Sequence, residues 1–114
     1  MVQIDKFAGE LGLKQLTTIE KLDTDVKDGC VCDLLSWVMA RGEEGMAWIT
    51  VQTHLNVIAV ACLHDFACVI IPESIEVPQA TLDKANEEGM MVFSSDKTAY
   101  RLCCEMCKLG IGVG

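Results

Sequence analysis

The sequence predicts an α/β fold, a three-layer α/β/α arrangement in which helices cover both faces of a mostly parallel sheet of about five strands. The stretch from Gly45 to Pro72 holds two short apolar, β-branched runs, separated by a segment whose apolar residues recur at helical spacing. Strands that are apolar throughout are typical of parallel sheets with both faces covered. From Trp48 onward, strand and helix patterns alternate three times. With 114 residues, 51% of them hydrophobic, we expect one domain, residues 1–114, with one core.

The first half of the chain predicts two helices joined by short extended segments. Gly12 can end the first helix in the left-handed conformation, and Asp33 is the candidate N-cap of the second. In chain order we expect a helix over 2–11, a strand over Leu13–Thr18, a polar connection over 19–28, an extended piece over Gly29–Cys32, and a helix over Leu34–Ala40 whose apolar stripe is Leu34, Leu35, Val38 and Met39.

The second half predicts three strand–helix units. Thr53 can cap the helix between the first two strands, and Ser94, Ser95 and Asp96 can cap the last helix. Right-handed crossovers then make the three strands parallel. In chain order we expect strands over Trp48–Val51, Ala67–Ile71 and Met90–Phe93, a helix from Pro78 to Glu88 that ends at Gly89, a helix that ends near Leu109, and a frayed tail over 110–114.

Composition excludes two classes of partner. The net charge of −8 and nine scattered basic residues argue against nucleic acid, since phosphate contacts need clustered Lys and Arg. No apolar run approaches the roughly 20 residues that span a bilayer. Met1 leads directly into an amphipathic helix, and the seven cysteines come without a signal peptide, so we expect a cytoplasmic protein with reduced thiols.

Polar side chains follow the three predicted parallel strands. The carboxyl ends of such strands share one edge of the sheet, where ligands of open α/β folds tend to bind. Helix N-termini at this edge would present free N–H groups to a small anion or nucleotide. The same hydroxyl groups can simply cap helices, and both roles use the same donors. The candidate ligand-binding residues are Gln52, Thr53, His54, Asn56, Ser95, Asp96 and Thr98.

His54 is the most specific candidate among them. A helix N-terminus favours the neutral imidazole, which can serve as a hydrogen-bond partner, a base or a metal ligand. No second histidine lies close in sequence, because His64 falls at the opposite end of the same predicted helix. A solvent-facing or structural role therefore stands beside the functional one.

The cysteines suggest an alternative site. Cys30, Cys32, Cys104 and Cys107 could together supply four thiolates for zinc or an iron–sulfur cluster. Tyr100, Cys103, Cys104 and Cys107 also recur at the spacing of an ordinary helical core stripe, and Cys62 and Cys68 lie in apolar segments. Buried thiols are therefore the simpler explanation, and we expect no cofactor.

The sequence lacks the motifs of common enzyme classes. It has no GxxxxGK[ST] phosphate loop, no GxGxxG after a strand and no GxSxG elbow. No pair of carboxylates has a clear acid–base context, and no cysteine has an evident histidine partner. We therefore expect a protein that is not an enzyme and carries no catalytic residues.

Three segments resemble the DRTGG domain family over about residues 2–109: VCDLLSWVMA, WITVQTHLNVIAVACLHDFACVIIP, and the ending PxxxLxxAxxxGMMVFSSxxTAYRL. The chain is similar to small standalone members of anaerobic bacteria, often encoded near iron-only hydrogenase genes. The fold also resembles the N-terminal domain of HPr kinase/phosphorylase, whose phosphate loop lies in a separate domain. The resemblance therefore implies the three-layer fold without the kinase activity.

The naming motif of that family is altered here. Its Asp-Arg element corresponds to Thr53-His54, and its Thr-Gly-Gly corresponds to Pro72-Glu73-Ser74, whereas Ser95–Ala99 follows the usual pattern. Relatives carry the domain beside CBS domains or a phosphotransacetylase. This implies a non-catalytic regulatory or interaction module, a homodimer, that senses a nucleotide or another small anion. The alternative is a thiol- or metal-binding accessory factor for a hydrogenase-like redox complex.

Overall fold

A five-stranded sheet forms the centre of the molecule. The computed structural model describes residues 1–21 and 23–112. The strands are β1 (Val2–Gln3), β2 (Lys14–Gln15), β3 (Asp25–Val26), β4 (Asp28–Val31), β5 (Met46–Ile49), β6 (Cys68–Ile71) and β7 (Val92–Ser94). The helices are α1 (Ile4–Leu11), α2 (Leu35–Arg41), α3 (Leu55–Leu63), α4 (Gln79–Glu88) and α5 (Ala99–Lys108).

The sheet has the order β2-β7-β6-β5-β4, and β4 to β7 are parallel. Only β2 is antiparallel, where Lys14 and Gln15 pair with the end of β7. A separate two-stranded ribbon joins β1 to β3. The predicted mostly parallel α/β sheet is confirmed. Its inner strands are apolar because helices cover both of their faces.

Two buried clusters fill the space on either side of the sheet. One contains Phe7 of α1 and Leu102 of α5, and the other contains Val38 of α2, Ile58 of α3 and Ala85 of α4. Side chains along a strand alternate between the two faces, so β5 sends Ala47 and Ile49 to the first cluster and Trp48 to the second. The three-layer arrangement is thereby confirmed.

Several predicted bounds were wrong in the first half of the chain. The strand expected over Leu13–Thr18 is two residues long, and the 19–28 connection contains β3, whose Val26 is completely buried. The connection was expected to be organised around Leu22 and Val26; Val26 is buried, and Leu22 lies outside the described residues. Pairing with β1 draws β3 into the structure, and such a two-residue ribbon is too short to produce a readable alternation pattern.

The predictions for α2 were wrong in two respects. Asp33 does not cap it, since Leu34 occupies the N-cap position without a side-chain hydrogen bond. Of the predicted apolar stripe, Val38 is buried and Leu35 half-buried, whereas Leu34 and Met39 are exposed. The helix lies at the margin of the sheet, so only the side that carries Leu35 and Val38 packs against the rest of the protein.

The last helix ends near Leu109 as predicted, but its N-cap and the segment after it differ from the prediction. Thr98 is its N-cap, and its hydroxyl accepts a hydrogen bond from the Arg101 amide at 3.2 Å. The residues from Gly110 onward were expected to fray, but Ile111 is buried in the core, and its amide bonds the Met106 carbonyl at 3.1 Å. An apolar side chain within reach of the core offsets the entropic cost of ordering a tail. Residues 113 and 114 lie outside the described part of the chain.

Candidate ligand-binding groove

Four connections meet at the carboxyl edge of the sheet, because β4, β5, β6 and β7 all run in the same direction. A groove of about 430 Å³ lies at this edge, between the beginnings of α3 and α4. We call it the carboxyl-edge groove. It is lined by Val51, Gln52, Thr53, His54, Leu55, Pro78, Ala80 and Thr81.

The two sides of the groove are joined directly. The Thr81 hydroxyl, on the first turn of α4, donates a hydrogen bond to the Thr53 carbonyl at 2.7 Å. Thr81 is buried, so this bond also satisfies a hydroxyl that has lost its water. The bond sets the spacing between the loop after β5 and the beginning of α4.

Hydrogen-bond donors from two helix N-termini face this region. His54, and not Thr53 as predicted, is the N-cap of α3, and its Nδ1 accepts the Asn56 amide at 3.1 Å. An accepting Nδ1 in a neutral ring places the proton on Nε2, which is then a donor. Pro78 precedes α4 and makes no side-chain cap. The Thr81 amide bonds the Pro78 carbonyl at 3.0 Å, and among the described residues the amides of Gln79 and Ala80 have no such partner.

The lining of the groove combines these donors with apolar walls and contains no carboxylate. Val51 and Leu55 are exposed there, and Pro78 and Ala80 extend the apolar surface. A second groove, of about 420 Å³, lies at the amino ends of β5 to β7. That groove has two lysines, Lys21 and Lys27, against five acidic residues: Asp23, Asp25, Glu44, Asp65 and Glu88. In a chain of net charge −8, the carboxyl-edge groove is the better of the two for an anion.

The loop after β5 is fastened to the loop after β4 by Asp33. One carboxylate oxygen of Asp33 accepts the Thr50 hydroxyl at 2.8 Å and the Val51 amide at 2.9 Å. The Gln52 side chain donates to the Asp33 carbonyl at 3.2 Å. Gln52 therefore lines the groove with its carboxamide nitrogen already engaged.

Four of the seven predicted ligand residues do not line the groove. Asn56 offers its backbone amide to His54 and is exposed. Ser95 is buried, and its hydroxyl accepts the Lys97 amide at 3.0 Å. Thr98 caps α5, and Asp96 is exposed beside it. Ser95, Asp96 and Thr98 lie at the same edge of the sheet but belong to the loop after β7.

The loop after β6 lies between the carboxyl-edge groove and the loop after β7. Glu73 and Ser74 have φ of +58° and +54°, the left-handed conformation that glycine adopts most easily. Their amides bond the carbonyls of Lys97 at 2.9 Å and Ser95 at 2.8 Å. The backbone at the position of the family's glycines thus has a glycine-like shape, but its N–H groups are already occupied.

The predicted cysteine pairs lie on opposite faces of the sheet. Cys30 pairs with Trp48 in register, and Cys30 and Cys32 both pack against the cluster formed with α2, α3 and α4. Cys104 and Cys107 are exposed on α5, which covers the other face. No group of three or more His, Cys, Asp or Glu side chains within the described ranges is placed to hold a metal ion. The four thiols therefore do not come together in this arrangement.

Burial suppresses the acidity of four cysteines. It raises the pKa of Cys30, Cys62, Cys68 and Cys103. Nearby carboxylates or thiols add to this rise in pKa except at Cys68, and Lys21 and Lys84 partly oppose it at Cys62. A thiol that keeps its proton is a poor nucleophile and a poor metal ligand. Cys68 is buried in the core, whereas Cys30, Cys62 and Cys103 are half-buried at its margins.

Sequence reasoning missed the α4 side of the groove. The connection after β6 leads into α4 at the same edge, so the beginning of that helix was readable from the strand order. Pro78 was the available signal, because it marks the start of a helix and its side chain supplies no cap. The contact between Thr81 and Thr53 spans 28 positions and has no local signature.

Comparison with known proteins supports the fold. No protein-family description and no curated protein matches the sequence. Among the part of the chain that the structure describes, no helix is long and apolar enough to cross a membrane.

One similar solved structure contains the CBS and DRTGG domains of the regulatory region of Clostridium perfringens pyrophosphatase, complexed with its activator diadenosine tetraphosphate. It shares 10% sequence identity, with a TM-score of 0.76. The match covers 92% of this chain and 46% of the other, and it supports a DRTGG-like fold.

Proposed function

We propose that this protein is a non-catalytic regulatory module of the DRTGG type that senses a nucleotide or another small anion in its carboxyl-edge groove. The observation that supports this most directly is the lining of the groove. Apolar side chains suit a flat base, and the amides of Gln79 and Ala80, together with Nε2 of His54, suit a phosphate. A volume of about 430 Å³ lies within the size range of small-molecule sites.

The similarity in fold supports a regulatory role over catalysis. The similar structure is a regulatory region with a bound activator nucleotide. Among the described residues, no nucleophile with an adjacent base and no metal cluster lies at the carboxyl-edge groove. Such a module works by changing shape or partner when it binds a ligand, and we propose that it does so as a homodimer.

Calorimetric titration of AMP, ATP and diadenosine tetraphosphate into the whole protein tests the ligand. We expect heat from at least one of them. Leu55→Asp would place a carboxylate inside the groove at the first turn of α3, where an acidic residue is tolerated by the helix dipole. Affinity for the ligand should fall about tenfold or more by charge repulsion and lost apolar contact.

Leu63→Asp is the matched control, because Leu63 is an exposed leucine at the other end of the same helix. It should leave the affinity unchanged. His54→Ala should weaken binding of phosphate-bearing ligands by removing a donor. The proposal is wrong if none of the three nucleotides produces heat, or if Leu55→Asp binds as tightly as the unaltered protein.

A further inference from the structure

Strand β4 ends the sheet on one side. Among residues 1–21 and 23–112, it is the last strand in the order and pairs with β5 alone. The Cys32 amide bonds the Ile49 carbonyl of β5 at 3.4 Å, so the preceding Val31 amide points away from the sheet. The amide of Gly29, one alternation earlier, is already bonded to its neighbour Asp28 at 2.8 Å. The open part of this edge is therefore centred on Val31.

The opposite edge of the sheet is protected and β4 is not. Strand β2 is two residues long, and both of them, Lys14 and Gln15, are polar and exposed. Short, charged edge strands are a common means of preventing edge-to-edge association. Strand β4 is twice as long, and its exposed end carries Val31. The contrast indicates that one edge is closed to partners and the other is open.

Apolar side chains flank β4 on both faces of the sheet. On one face, Leu34 and Trp37 of the α2 margin are 62% and 55% exposed. On the other face, Val31 lies beside a cleft of about 180 Å³ whose lining includes Cys103, Met106 and Ile111. We call β4, the outer side of α2 and this cleft the β4 flank. An apolar surface of this kind is typical of a protein–protein interface.

Two charges of the β4 flank, Asp33 and Arg41, suit a second copy of the same chain, while Asp28 adds an acidic group where it lines the cleft. Helix α2 returns from the carboxyl edge to the amino edge, so Asp33 lies at one end of the flank and Arg41 at the other. A two-fold axis through the flank brings the amino end of one copy to the carboxyl end of the other, and so Arg41 to Asp33 of the partner. The Arg41 guanidinium lies 5.0 Å from the centre of the Trp37 ring, within the apolar patch itself.

We propose that two copies associate through the β4 flank, with their β4 strands antiparallel, so that the two sheets become one continuous sheet. This inference rests on the homodimer proposed above and adds the surface that forms it. Pairing would satisfy the outward amide and carbonyl of Val31 and bury Trp37 near the two-fold axis. The carboxyl-edge groove of each copy is lined by residues outside this strand and stays open to ligand.

Sedimentation equilibrium of the whole protein tests the surface. We expect twice the chain mass of 12.5 kDa. Trp37→Asp should raise the dimer dissociation constant about thirtyfold or more, as expected for loss of an aromatic anchor. Val31→Pro should do the same, because it removes an outward amide and no bond to β5. Tyr100→Asp, at an α5 side chain that is 80% exposed and outside the β4 flank, is the matched control and should remain dimeric.

Far-UV circular dichroism checks the folding of each variant, and Arg41→Glu, a fully surface change, keeps the test decisive if Trp37→Asp fails to fold. A dimer that persists in Arg41→Glu and Val31→Pro overturns the β4 flank while leaving the homodimer standing. A mass of 12.5 kDa for the unaltered protein overturns both the β4 flank and the homodimer. An extended peptide from another protein would then be the alternative partner for the open edge. Calorimetry on the same samples tests ligand sensing separately, since a monomer can still bind a nucleotide.

Discussion

Ser74 shows how a single residue can keep a backbone shape that its type disfavours. Its φ of +54° follows the +58° of Glu73, and an L-residue in this region costs about 1–2 kcal/mol. The conformation persists because each of the two amides has a carbonyl partner in the loop before α5. The strain is thus held by tertiary hydrogen bonds.

Ser74→Gly should therefore stabilise the protein by up to about 1 kcal/mol. Glycine relieves the backbone strain, and this gain is larger than the cost of the greater freedom that glycine gives the unfolded chain. Urea unfolding followed by tryptophan fluorescence measures the change. Glu76→Gly is the control, because Glu76 lies in the same loop without a positive φ. This substitution should lower the free energy of unfolding by about 0.5–1 kcal/mol. Equal effects of the two substitutions would contradict this explanation.

At the scale of one element, α5 divides its three cysteines between two environments. Cys103 packs against the core beneath the helix, whereas Cys104 and Cys107 are exposed. Burial, followed by the neighbouring Cys107 and Cys104, raises the pKa of Cys103. The spacing that resembles a metal motif in the sequence therefore does not present three equivalent thiols.

Alkylation with iodoacetamide near pH 7.5 should modify Cys104 and Cys107 first. Peptide mass spectrometry at successive times distinguishes the seven sites. Cys103 and Cys68 should react at least about tenfold more slowly, because burial limits both access and ionisation. Simultaneous protection of Cys104 and Cys107, restored to reactivity by a chelator, would instead indicate a bound metal.

For the molecule as a whole, the buried thiols predict a loss of stability in alkali. Burial raises the pKa of Cys68 above its ordinary value of 9.0, so the native state keeps a proton that the unfolded chain loses. The unfolded state then binds fewer protons above about pH 9, and the free energy of unfolding falls as pH rises. The contribution of Cys68 is complete below that pH.

Urea unfolding between about pH 8 and pH 10.5 measures this slope, which approaches about 1.4 kcal/mol per pH unit for one such group. Cys68→Ala, which removes the titrating group from the centre of β6, should flatten the profile relative to the unaltered protein. An identical alkaline slope in both proteins would show that Cys68 does not carry the effect. Cys104→Ala, at an exposed position, is the control.

The sequence predicted the layers and the parallel order of β5, β6 and β7 because those features depend on local pattern. A continuous apolar run such as Cys68–Ile71, followed by Pro72, identifies a buried strand without knowledge of its neighbours. Gly12 and Gly89 likewise marked helix ends, where φ of +66° and +78° suits glycine. Such signals lie within a few residues of the feature that they predict.

The assignment of caps and of the groove depended on contacts that no local pattern contains. Asp33 has the residue type of an N-cap, but its carboxylate bonds Thr50 and Val51 across the sheet edge. Thr53, His54 and Gln52 were placed at the correct edge from strand order alone. The α4 wall, by contrast, is joined to them through Thr81, and the loop after β6 is closed by Lys97 and Ser95.

By itself, the sequence determined an α/β sheet with covered faces, the sheet edge at which Gln52, Thr53 and His54 lie, and the absence of the common catalytic motifs. Hydrophobic periodicity predicts which segments are buried strands and helices, and the order of strands and helices predicts which ends meet at one edge. Only the tertiary structure decided that the cysteine pairs lie on opposite faces, that the groove pairs α3 with α4, and that β4 is the unprotected edge. These properties are relations between residues distant in the chain, and they exist only once the sheet has assembled.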